Sequence, residues 1–479
     1  MTVATIMSTA TTTQAQNTAV ATEELVPVQR SMDPLLLLGA FMVLAAALTW
    51  IVPAGQYDRQ VDSNGRMQVI PGSYKRVPPR PLGVGRVLLA IPDGLVKAAP
   101  IVFFVLLGGA ALTVVEITGA IAAILDSLAK YLIRRPLFIL PLVSLLFLFG
   151  GGSYSMSEEI IAFIPLLCAL MRKLKLPNTM AVAVSLGSAS VASAFSPFNT
   201  YMLGIGQPMA GLRLFSGFMF RSIVFAIAVM TWLGYLMWQG QKMRSAHRSV
   251  EEEEVVPAAS GAAPRTNRRH YLVLLILNGG LALMIVGAMR WSWDLKEFCA
   301  VLLGIGLLAG MAGGLKARGT SEAFAEGFKR VALAAVLVGV ARAVSVILEQ
   351  GMILDTITEM LFRPLHYMPR AASGVMMLAS QSALNFPMPS MSGQGMLALP
   401  ILVPLADLLH ISRQVVVLVF QNASLTSNVI APTYGALLAM LNIAQVPFTK
   451  WLRFMVPIYL ILFVISSISI IVAIHIGWQ

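Results

Sequence analysis

The segment 150–200 decides the fold. It opens with GGGSYSMSEEIIAFIPLL and closes with SAFSPFNT, and the segment 385–433 repeats its plan with NFPMPSMSGQG at the start and QNASLTSNVIAPT at the end. Polar, glycine-rich backbone at membrane depth is tolerated only where it lines a protein cavity. Two such segments at matching places in two halves of a chain indicate the binding site of a secondary transporter.

The spacing inside the two segments is nearly equal. Glu158 precedes Pro197 by 39 residues, and Ser392 precedes Pro432 by 40. Each segment begins with a hairpin that is too short and too polar to cross a membrane twice, and each ends in a helix that proline interrupts. We therefore predict an all-α polytopic membrane protein with two structural repeats, each with a re-entrant hairpin and a broken helix.

The composition supports this fold class. The 479 residues are 57% hydrophobic and 12% charged, with a mean hydropathy of +0.79, whereas a soluble domain carries about 25% charged residues. The formal net charge of +12 lies mostly in short connecting loops, which membrane orientation explains better than nucleic-acid binding. The two cysteines, Cys168 and Cys299, give no disulfide or metal framework.

The chain divides into four predicted parts. Residues 1–31 are rich in Thr, Ala and Gln and predict a disordered tail. Residues 239–270 have basic ends, four glutamates and a centre of Pro, Ala, Gly and Ser, which predicts a cytoplasmic linker. The linker separates the first transmembrane repeat, 32–238, from the second, 271–479. The expected location is the bacterial cytoplasmic (inner) membrane, with multiple crossings.

The same elements follow one another in each repeat. In the first repeat we predict a span at 34–52, a polar loop at 56–81, an interfacial helix at 83–99 and a span at 101–117. An interfacial helix at 119–132, a short third span at 136–149 and the hairpin at 153–170 follow. The broken helix at 178–211 and a last span at 214–238 complete it. The second repeat is predicted to begin with two further spans at 271–289 and 298–311. The same order then returns, with the amphipathic run and the span together at 324–348, the interfacial helix at 351–362 and the short span at 371–383. The hairpin at 385–409, the broken helix at 413–441 and the last span at 451–474 follow.

The relation between the two repeats stays open. Six crossings between the hairpins would place both hairpins on one side of the membrane, as in a parallel repeat. An inverted repeat requires an odd number of crossings, which follows if either 271–289 or 298–311 does not cross.

Several short motifs carry a resemblance to a known family. They are IVPAGQYDR at 51–59, Glu158-Glu159 with Ala162-Phe163, Ser216-Gly217, ILDT at 353–356, Pro389-Ser390 with Ser392-Gly393-Gln394, PLAD at 404–407, SRQ at 412–414, Pro432-Thr433 and Lys450-Trp451. With these motifs the chain resembles the DcuC-like C4-dicarboxylate anaerobic carriers of the ion-transporter superfamily, and among them the YfcC/ArcD-type basic amino acid antiporters. The resemblance covers nearly the whole chain from Met32 onward.

The resemblance implies an ion-coupled secondary active transporter of a C4-dicarboxylate or a basic amino acid, of the elevator type. The chain departs from the family pattern at both breaks. It has Ser196-Pro197-Phe198 where the family usually has Asn-Pro-Phe, and Asn422-Ala423-Ser424 where the family usually has Gly-Asp-Gly. The second departure removes a carboxylate expected at the site.

The predicted substrate site lies at the two hairpin tips. Adjacent carboxylates in an apolar setting cost at least a few kcal/mol there, which favours a role in binding a cation, a proton or a cationic solute group; the alternative is capping of a helix N-terminus. At the second tip, exposed amides at a helix start suit an anion, and the alternative is a plain tight turn. The predicted substrate-binding residues are Ser157, Glu158, Glu159, Ser390, Ser392, Gly393, Gln394 and Asn422.

The predicted ion site lies at the two breaks. Side-chain oxygens beside unwound carbonyls suit a hard monovalent cation, and the alternative is simple capping of helix ends. The predicted ion-binding residues are Ser196, Asn199, Thr200, Ser427, Asn428 and Thr433. The coupling ion is sodium or a proton, with no other cofactor and no metal motif among the histidines. For Glu116 and Arg342 a structural ion pair or snorkelling is favoured.

Two other classes of function remain as alternatives. A membrane-embedded enzyme would need a nucleophile–base motif, a metal cluster or a nucleotide loop, and none is recognisable in the sequence. A passive channel does not require paired hairpins and broken helices. The expected partners are a small-molecule substrate and the lipid bilayer, without nucleic acid, and the sequence leaves a homodimer open.

Overall fold

The structure, a computed structural model, describes most of the chain. The described residues are 34–61, 67–120, 136–251, 267–291, 293 and 295–479. Among them, eight helices are long and apolar enough to cross a membrane by length and composition. This confirms the all-α polytopic fold. The predicted tail 1–31 and most of the interfacial helix predicted over 119–132 lie outside the described residues.

The first half contains nine helices in the described part of the chain. They are α1 (Pro34–Ile51), α2 (Val84–Lys97), α3 (Ala99–Ile117), α4 (Ile139–Tyr154), α5 (Ile164–Lys173), α6 (Asn178–Val182), α7 (Ser188–Phe195), α8 (Thr200–Met209) and α9 (Phe218–Glu251). Short 3₁₀ turns at Pro136–Phe138 and Glu158–Phe163 precede α4 and α5. A π-helical turn at Ala183–Gly187 joins α6 to α7.

The described second half repeats the order of the first after two additional helices. Its helices are α10 (Arg268–Trp291), α11 (Leu295–Ala312), α12 (Lys316–Gln350), α13 (Leu354–Phe362), α14 (Arg370–Leu384), α15 (Met391–Leu408), α16 (Arg413–Val429), α17 (Gly435–Ile443) and α18 (Phe448–His475). A 3₁₀ turn at Arg363–Tyr367 lies between α13 and α14. α12 is continuous where the first half has two helices, α2 and α3.

Both predicted hairpins consist of two helices and a non-helical tip. In hairpin 1, the helix predicted over 136–149 continues to Tyr154 as α4, and the chain turns at 155–157 toward α5. In hairpin 2, α14 leads into the tip at 385–390 and α15 leads away from it. The short spans predicted before the hairpins are therefore their first arms.

Both predicted breaks are present. The first break separates α7 from α8 at 196–199, and the second break separates α16 from α17 at 430–434. Proline lies in each break, at Pro197 and Pro432, where it offers no backbone N–H to continue the helix. The helix predicted to end at Trp238 continues to Glu251, into the predicted linker. Residues 252–266 of that linker lie outside the described residues.

The loop predicted over 56–81 contains short strands that the sequence analysis did not predict. β1 (Gly55–Gln56) pairs antiparallel with β4 (Lys75–Arg76), and β2 (Arg59–Val61) pairs antiparallel with β3 (Met67–Val69). The strands are two or three residues long, too short for an alternating pattern to be recognised in the sequence.

The described helices pack as two groups. In the scaffold group, α1, α2, α3 and α11 all contact the long helix α12, and α10 packs on α11. The hairpin group consists of α4–α9 and α14–α18. In it, the broken helices α7 and α16 contact each other, α4 packs on α7, and α14 and α15 pack on α16. The groups meet where α17 packs on α12 and where the 3₁₀ turn Glu158–Phe163 packs on α3.

Glycines bring the scaffold helices close together. A Cβ atom at Gly94 of α2 would lie 2.5 Å from the Gly339 carbonyl oxygen of α12, and one at Gly339 would overlap the Leu95 side chain. Side chains at these positions would force α2 away from α12. The close backbone approach explains how the amphipathic helix predicted over 83–99 packs on the scaffold group.

Candidate functional site

The tip of hairpin 1 is tied to the first break by side chains that follow α7. All three bonds end on backbone carbonyls of the last turn of α4. They run from Ser196 Oγ to the Gly152 oxygen (2.6 Å), from Asn199 Nδ2 to the Gly151 oxygen (2.9 Å) and from Thr200 Oγ1 to the Ser153 oxygen (2.9 Å). Asn199 also caps α8, because its Oδ1 accepts from the Met202 amide over 2.7 Å.

The tip of hairpin 2 is organised by a buried amide cluster. Gln394 Nε2 donates to Asn385 Oδ1 over 2.9 Å and to the Met388 carbonyl over 2.7 Å, and its Oε1 accepts from Gln381 Nε2 over 2.9 Å. Asn385 Nδ2 in turn donates to the Ala423 carbonyl of α16 over 3.0 Å. Gln394 therefore shapes the tip, and its side chain is buried in protein.

The two threonines of the breaks occupy equivalent places. Thr200 Oγ1 donates to Ser153 at the end of α4, and Thr433 Oγ1 donates to the Phe386 carbonyl at the tip of hairpin 2 over 2.6 Å. Each hydroxyl hydrogen is thus used by the hairpin of its own repeat. A hydroxyl that donates its hydrogen in this way still has acceptor lone pairs.

Tyr434, at the end of the second break, connects the two repeats. Its hydroxyl lies 2.6 Å from Ser157 Oγ and donates to Glu158 Oε1 over 3.3 Å. Glu159 Oε2 accepts from the Ser157 amide over 2.9 Å. The contacts join the hairpin 1 tip to the second broken helix.

One cavity of about 910 Å³ lies where the tips and breaks meet. Seven predicted site residues and one neighbour line it: Ser157, Glu158, Glu159 and Ser390 from the hairpin tips, and Thr200, Asn428, Thr433 and Tyr434 from the breaks or the helices beside them. Of these, Tyr434 was not predicted. The volume lies within the range of small-molecule sites, about 300–1,000 Å³.

The opposite wall of this cavity belongs to the scaffold group and carries two cations. Lys97 of α2 and Arg342 of α12 line it. Both approach one carboxylate: Lys97 Nζ lies 2.6 Å from Glu349 Oε2, and Arg342 lies 3.6 Å from Glu349 Oε1. Arg342 therefore has the structural ion pair that the sequence analysis favoured. Glu116 has one as well, with Arg330 at 3.1 Å.

A second cavity of about 710 Å³ lies on another side of the hairpin 2 tip. Ser392 and Gly393 line it, together with Arg59, Asp355 and part of α8. Thr200 and the neighbouring Tyr201 line both cavities, so the two spaces adjoin at the start of α8. The predicted residues of hairpin 2 are therefore divided between two cavities.

Five predicted residues make contacts inside the protein and line neither cavity. Ser196, Asn199 and Gln394 have the bonds described above, and Ser427 Oγ donates to the Ser424 carbonyl over 3.0 Å. With its amide turned so that both ends are satisfied, Asn422 bonds to the Ala194 and Leu418 carbonyls and to Ser466 Oγ. Their binding roles stay predictions.

Within the part of the chain that the structure describes, no three of His, Cys, Asp and Glu gather as a possible metal site. The oxygen atoms at the breaks belong to hydroxyls, amides and carbonyls, which suit a monovalent cation better than zinc or a transition metal.

Comparison with known proteins places these features in context. Residues 33–475 match the family described as DcuC, C4-dicarboxylate anaerobic carrier. The chain is 26% identical to an uncharacterized protein of Haemophilus influenzae (91% of this chain, 95% of the relative) and 28% identical to "Putative basic amino acid antiporter YfcC" of Escherichia coli K12 (93% and 97%). The solved Alcanivorax borkumensis YdaH transporter aligns with a TM-score of 0.42 at 17% identity, over 93% of this chain and 99% of that one.

Proposed function

The chain belongs to the C4-dicarboxylate anaerobic carrier family, and we propose that it is an ion-coupled secondary active transporter of a small carboxylate or amino acid that works by elevator-type alternating access. It is a multi-pass membrane transporter, with a small molecule as substrate and the lipid bilayer as surroundings. The family match confirms the resemblance inferred from the sequence. The observation that carries the proposal is the 910 Å³ cavity where both hairpin tips and both breaks meet.

The charges of the cavity favour an amino acid as the solute. Glu158 and Glu159 lie on the hairpin side, and Lys97 and Arg342 lie on the scaffold side. Lys97 and Arg342 share the single carboxylate of Glu349, so the scaffold wall keeps a net positive charge, and a solute with both an ammonium and a carboxylate group can satisfy both walls at once. A C4-dicarboxylate would meet repulsion at the two glutamates, and this makes it the second candidate. The family name and the relative named as a basic amino acid antiporter support these two classes.

The breaks favour sodium as the coupling ion. Thr200 and Thr433 line the cavity and donate their hydroxyl hydrogens to hairpin carbonyls, so lone pairs remain for a cation. Asn428 adds an amide to the same cavity. Proton coupling is the alternative, with Glu158 in the cavity as the group that would take up and release the proton.

Uptake into proteoliposomes tests the proposal. Labelled arginine, glutamate and succinate represent the candidate classes, and each is measured with an imposed sodium gradient at fixed pH and clamped voltage. We expect arginine to accumulate above equilibrium only when sodium is higher outside. Stimulation by a proton gradient without any sodium effect would reject sodium and favour Glu158 as the proton carrier. Equilibration without accumulation under either gradient would indicate a passive channel.

The cellular setting is part of the proposal. We place the protein in the bacterial cytoplasmic membrane, where sodium and proton gradients are available to drive secondary transport. The division of the chain at 32–238, 239–270 and 271–479 stays a prediction of the sequence, and a homodimer stays open.

A further inference from the structure

Arg221 is a buried cation that the proposed transport cycle does not use. Its side chain lies in α9 and is 1% exposed. NH1 donates to Gln421 Oε1 over 2.8 Å, NH2 approaches the carbonyl and Oε1 of Gln414 at 3.4 Å, and the guanidinium lies 5.3 Å from the centre of the Trp478 ring. Among the described residues, no carboxylate forms an ion pair with it.

Gln421 connects Arg221 to the first break through hydrogen bonds at both ends of its amide. While its Oε1 accepts from Arg221, its Nε2 donates to the Ser193 carbonyl over 3.0 Å and to the Ser196 carbonyl over 2.8 Å. An amide has one accepting end and one donating end. Because a guanidinium can only donate, it fixes the oxygen of Gln421 on its own side and turns the NH₂ group toward the break.

The two carbonyls need this donor. In an uninterrupted helix the Ser193 carbonyl would accept from the residue four positions later, which is Pro197 and has no N–H. The Ser196 carbonyl lies in the break itself. Buried carbonyls without a donor are destabilising, so Gln421 supplies what the proline removed.

At the second break, a carbonyl at the end of α16 receives its donor without the help of a charge. There the Val429 carbonyl accepts from Trp451 Nε1 over 2.7 Å. The indole N–H is a donor in any orientation, so it needs no partner to hold it. The two breaks thus differ in how their last carbonyls are satisfied, and this difference provides an internal control.

We propose that Arg221 is a positioning residue for the transport site, acting through Gln421 to fix the first break and with it Asn199 and Thr200. The position of Gln421 in α16 makes this a link between the two repeats. The inference rests on the geometry of the break, and only its consequence for uptake rests on the proposed function.

The decisive variant is Gln421→Glu. A glutamate pairs with Arg221 and neutralises the buried cation, but it points an acceptor instead of a donor at the Ser193 and Ser196 carbonyls. Hydrogen–deuterium exchange followed by mass spectrometry is measured on the purified full-length protein, comparing peptides that cover 196–203 with peptides that cover 430–437. We expect exchange to accelerate about ten-fold at the first break, equivalent to about 1.4 kcal/mol, and to stay unchanged at the second.

Matched variants complete the test. Trp451→Phe removes the donor at the second break and should reverse the pattern, with faster exchange at 430–437 only. Arg221→Met frees the Gln421 amide to turn and should accelerate exchange at the first break, and Arg221→Lys should restore part of the protection. Unchanged exchange at 196–203 in Gln421→Glu would overturn the inference, whatever the variants do in uptake assays. Exchange that changes as expected while wild type shows no coupled uptake would reject the proposed function alone.

Discussion

At the scale of single residues, the contact between Glu158 and Tyr434 joins the two repeats across the cavity. Glu158 was predicted because a carboxylate in an apolar segment needs a compensating role. Tyr434 was not predicted, because a tyrosine beside an apolar helix is usually a core residue. Its place directly after Thr433, at the end of the break, was the available signal.

Glu158→Gln tests this contact. Glutamine keeps the size and can still accept from Tyr434, but it carries no charge for a cationic solute group or a proton. We expect initial uptake to fall more than about ten-fold, because charge-assisted hydrogen bonds are worth about 1.5–3 kcal/mol. Expression and monodispersity in detergent should be unchanged. Glu116→Gln is the control, because its ion pair with Arg330 is about half exposed and contributes little. Full uptake of every candidate solute by Glu158→Gln would remove it from the site.

Arg221 is a residue that the sequence alone could have identified as a candidate. It interrupts the apolar run FMFRSIVFA at 218–226, and the cost argument applied to Glu158 applies to it equally. Its partner Gln421 was quoted only as part of the second break. No sequence rule indicates that a glutamine in one repeat satisfies a carbonyl in the other, because that pairing depends on how α7 and α16 cross.

At the scale of elements, the strands β1–β4 are attached to the start of α13. Arg59 NH2 lies 2.8 and 2.9 Å from the two carboxylate oxygens of Asp355, and Asp355 Oδ2 also accepts from the Tyr57 amide over 3.0 Å. Burial raises the pKa of the Tyr57 phenol above its ordinary value, and its hydrogen bond to Glu359 acts in the same direction, so the phenol stays a donor. Two motifs far apart in sequence, IVPAGQYDR and ILDT, therefore meet here.

Asp355→Ala tests this attachment. Asp355 is buried while Arg59 is about one-third exposed, so the substitution leaves the Tyr57 amide without its acceptor and should lower the free energy of unfolding by about 1–3 kcal/mol. Thermal unfolding in detergent measures the loss, and trypsin should cut faster within 59–76. Lys75→Ala is the control, because its pair with Asp58 is exposed and should contribute less than about 1 kcal/mol. Equal effects of the two substitutions would contradict the assignment.

The elements that the sequence predicted are those with a local cause. Pro197 and Pro432 break their helices because proline lacks an N–H, and the apolar runs are long enough to identify most spans. The strands near Tyr57 were missed because their order comes from tertiary contacts with α13 and α15 rather than from their own pattern. The first arm of each hairpin was predicted as a separate span, because hydrophobic periodicity does not show where a chain reverses direction.

At the scale of the whole molecule, the packing defines what an elevator movement would have to change. The hairpin group touches the scaffold group where α17 packs on α12, where the 3₁₀ turn Glu158–Phe163 packs on α3, and where Ser345 Oγ of α12 donates to the Pro387 carbonyl at the hairpin 2 tip over 3.0 Å. A Cβ atom at Gly435, the first residue of α17, would lie 2.7 Å from the Val338 Cα atom. Such a close backbone contact allows sliding without large side chains interlocking, which is compatible with movement of one group past the other.

A pair of engineered disulfides tests whether the groups move. A Cβ atom at Gly108 of α3 would lie 3.1 Å from the Ala162 Cβ atom beside hairpin 1, which is a few tenths of an ångström short of disulfide spacing. In a background with Cys168 and Cys299 replaced by alanine, Gly108→Cys with Ala162→Cys should stop uptake on oxidation and recover it with a thiol reductant.

The matched pair is Gly152→Cys with Ala192→Cys, whose Cβ atoms would lie 3.5 Å apart inside the hairpin group. Because both residues of that pair move together in an elevator, its oxidation should leave most of the uptake intact. Coupled uptake by the fully oxidised Gly108–Ala162 pair would mean that transport does not require the hairpin group to move against α3.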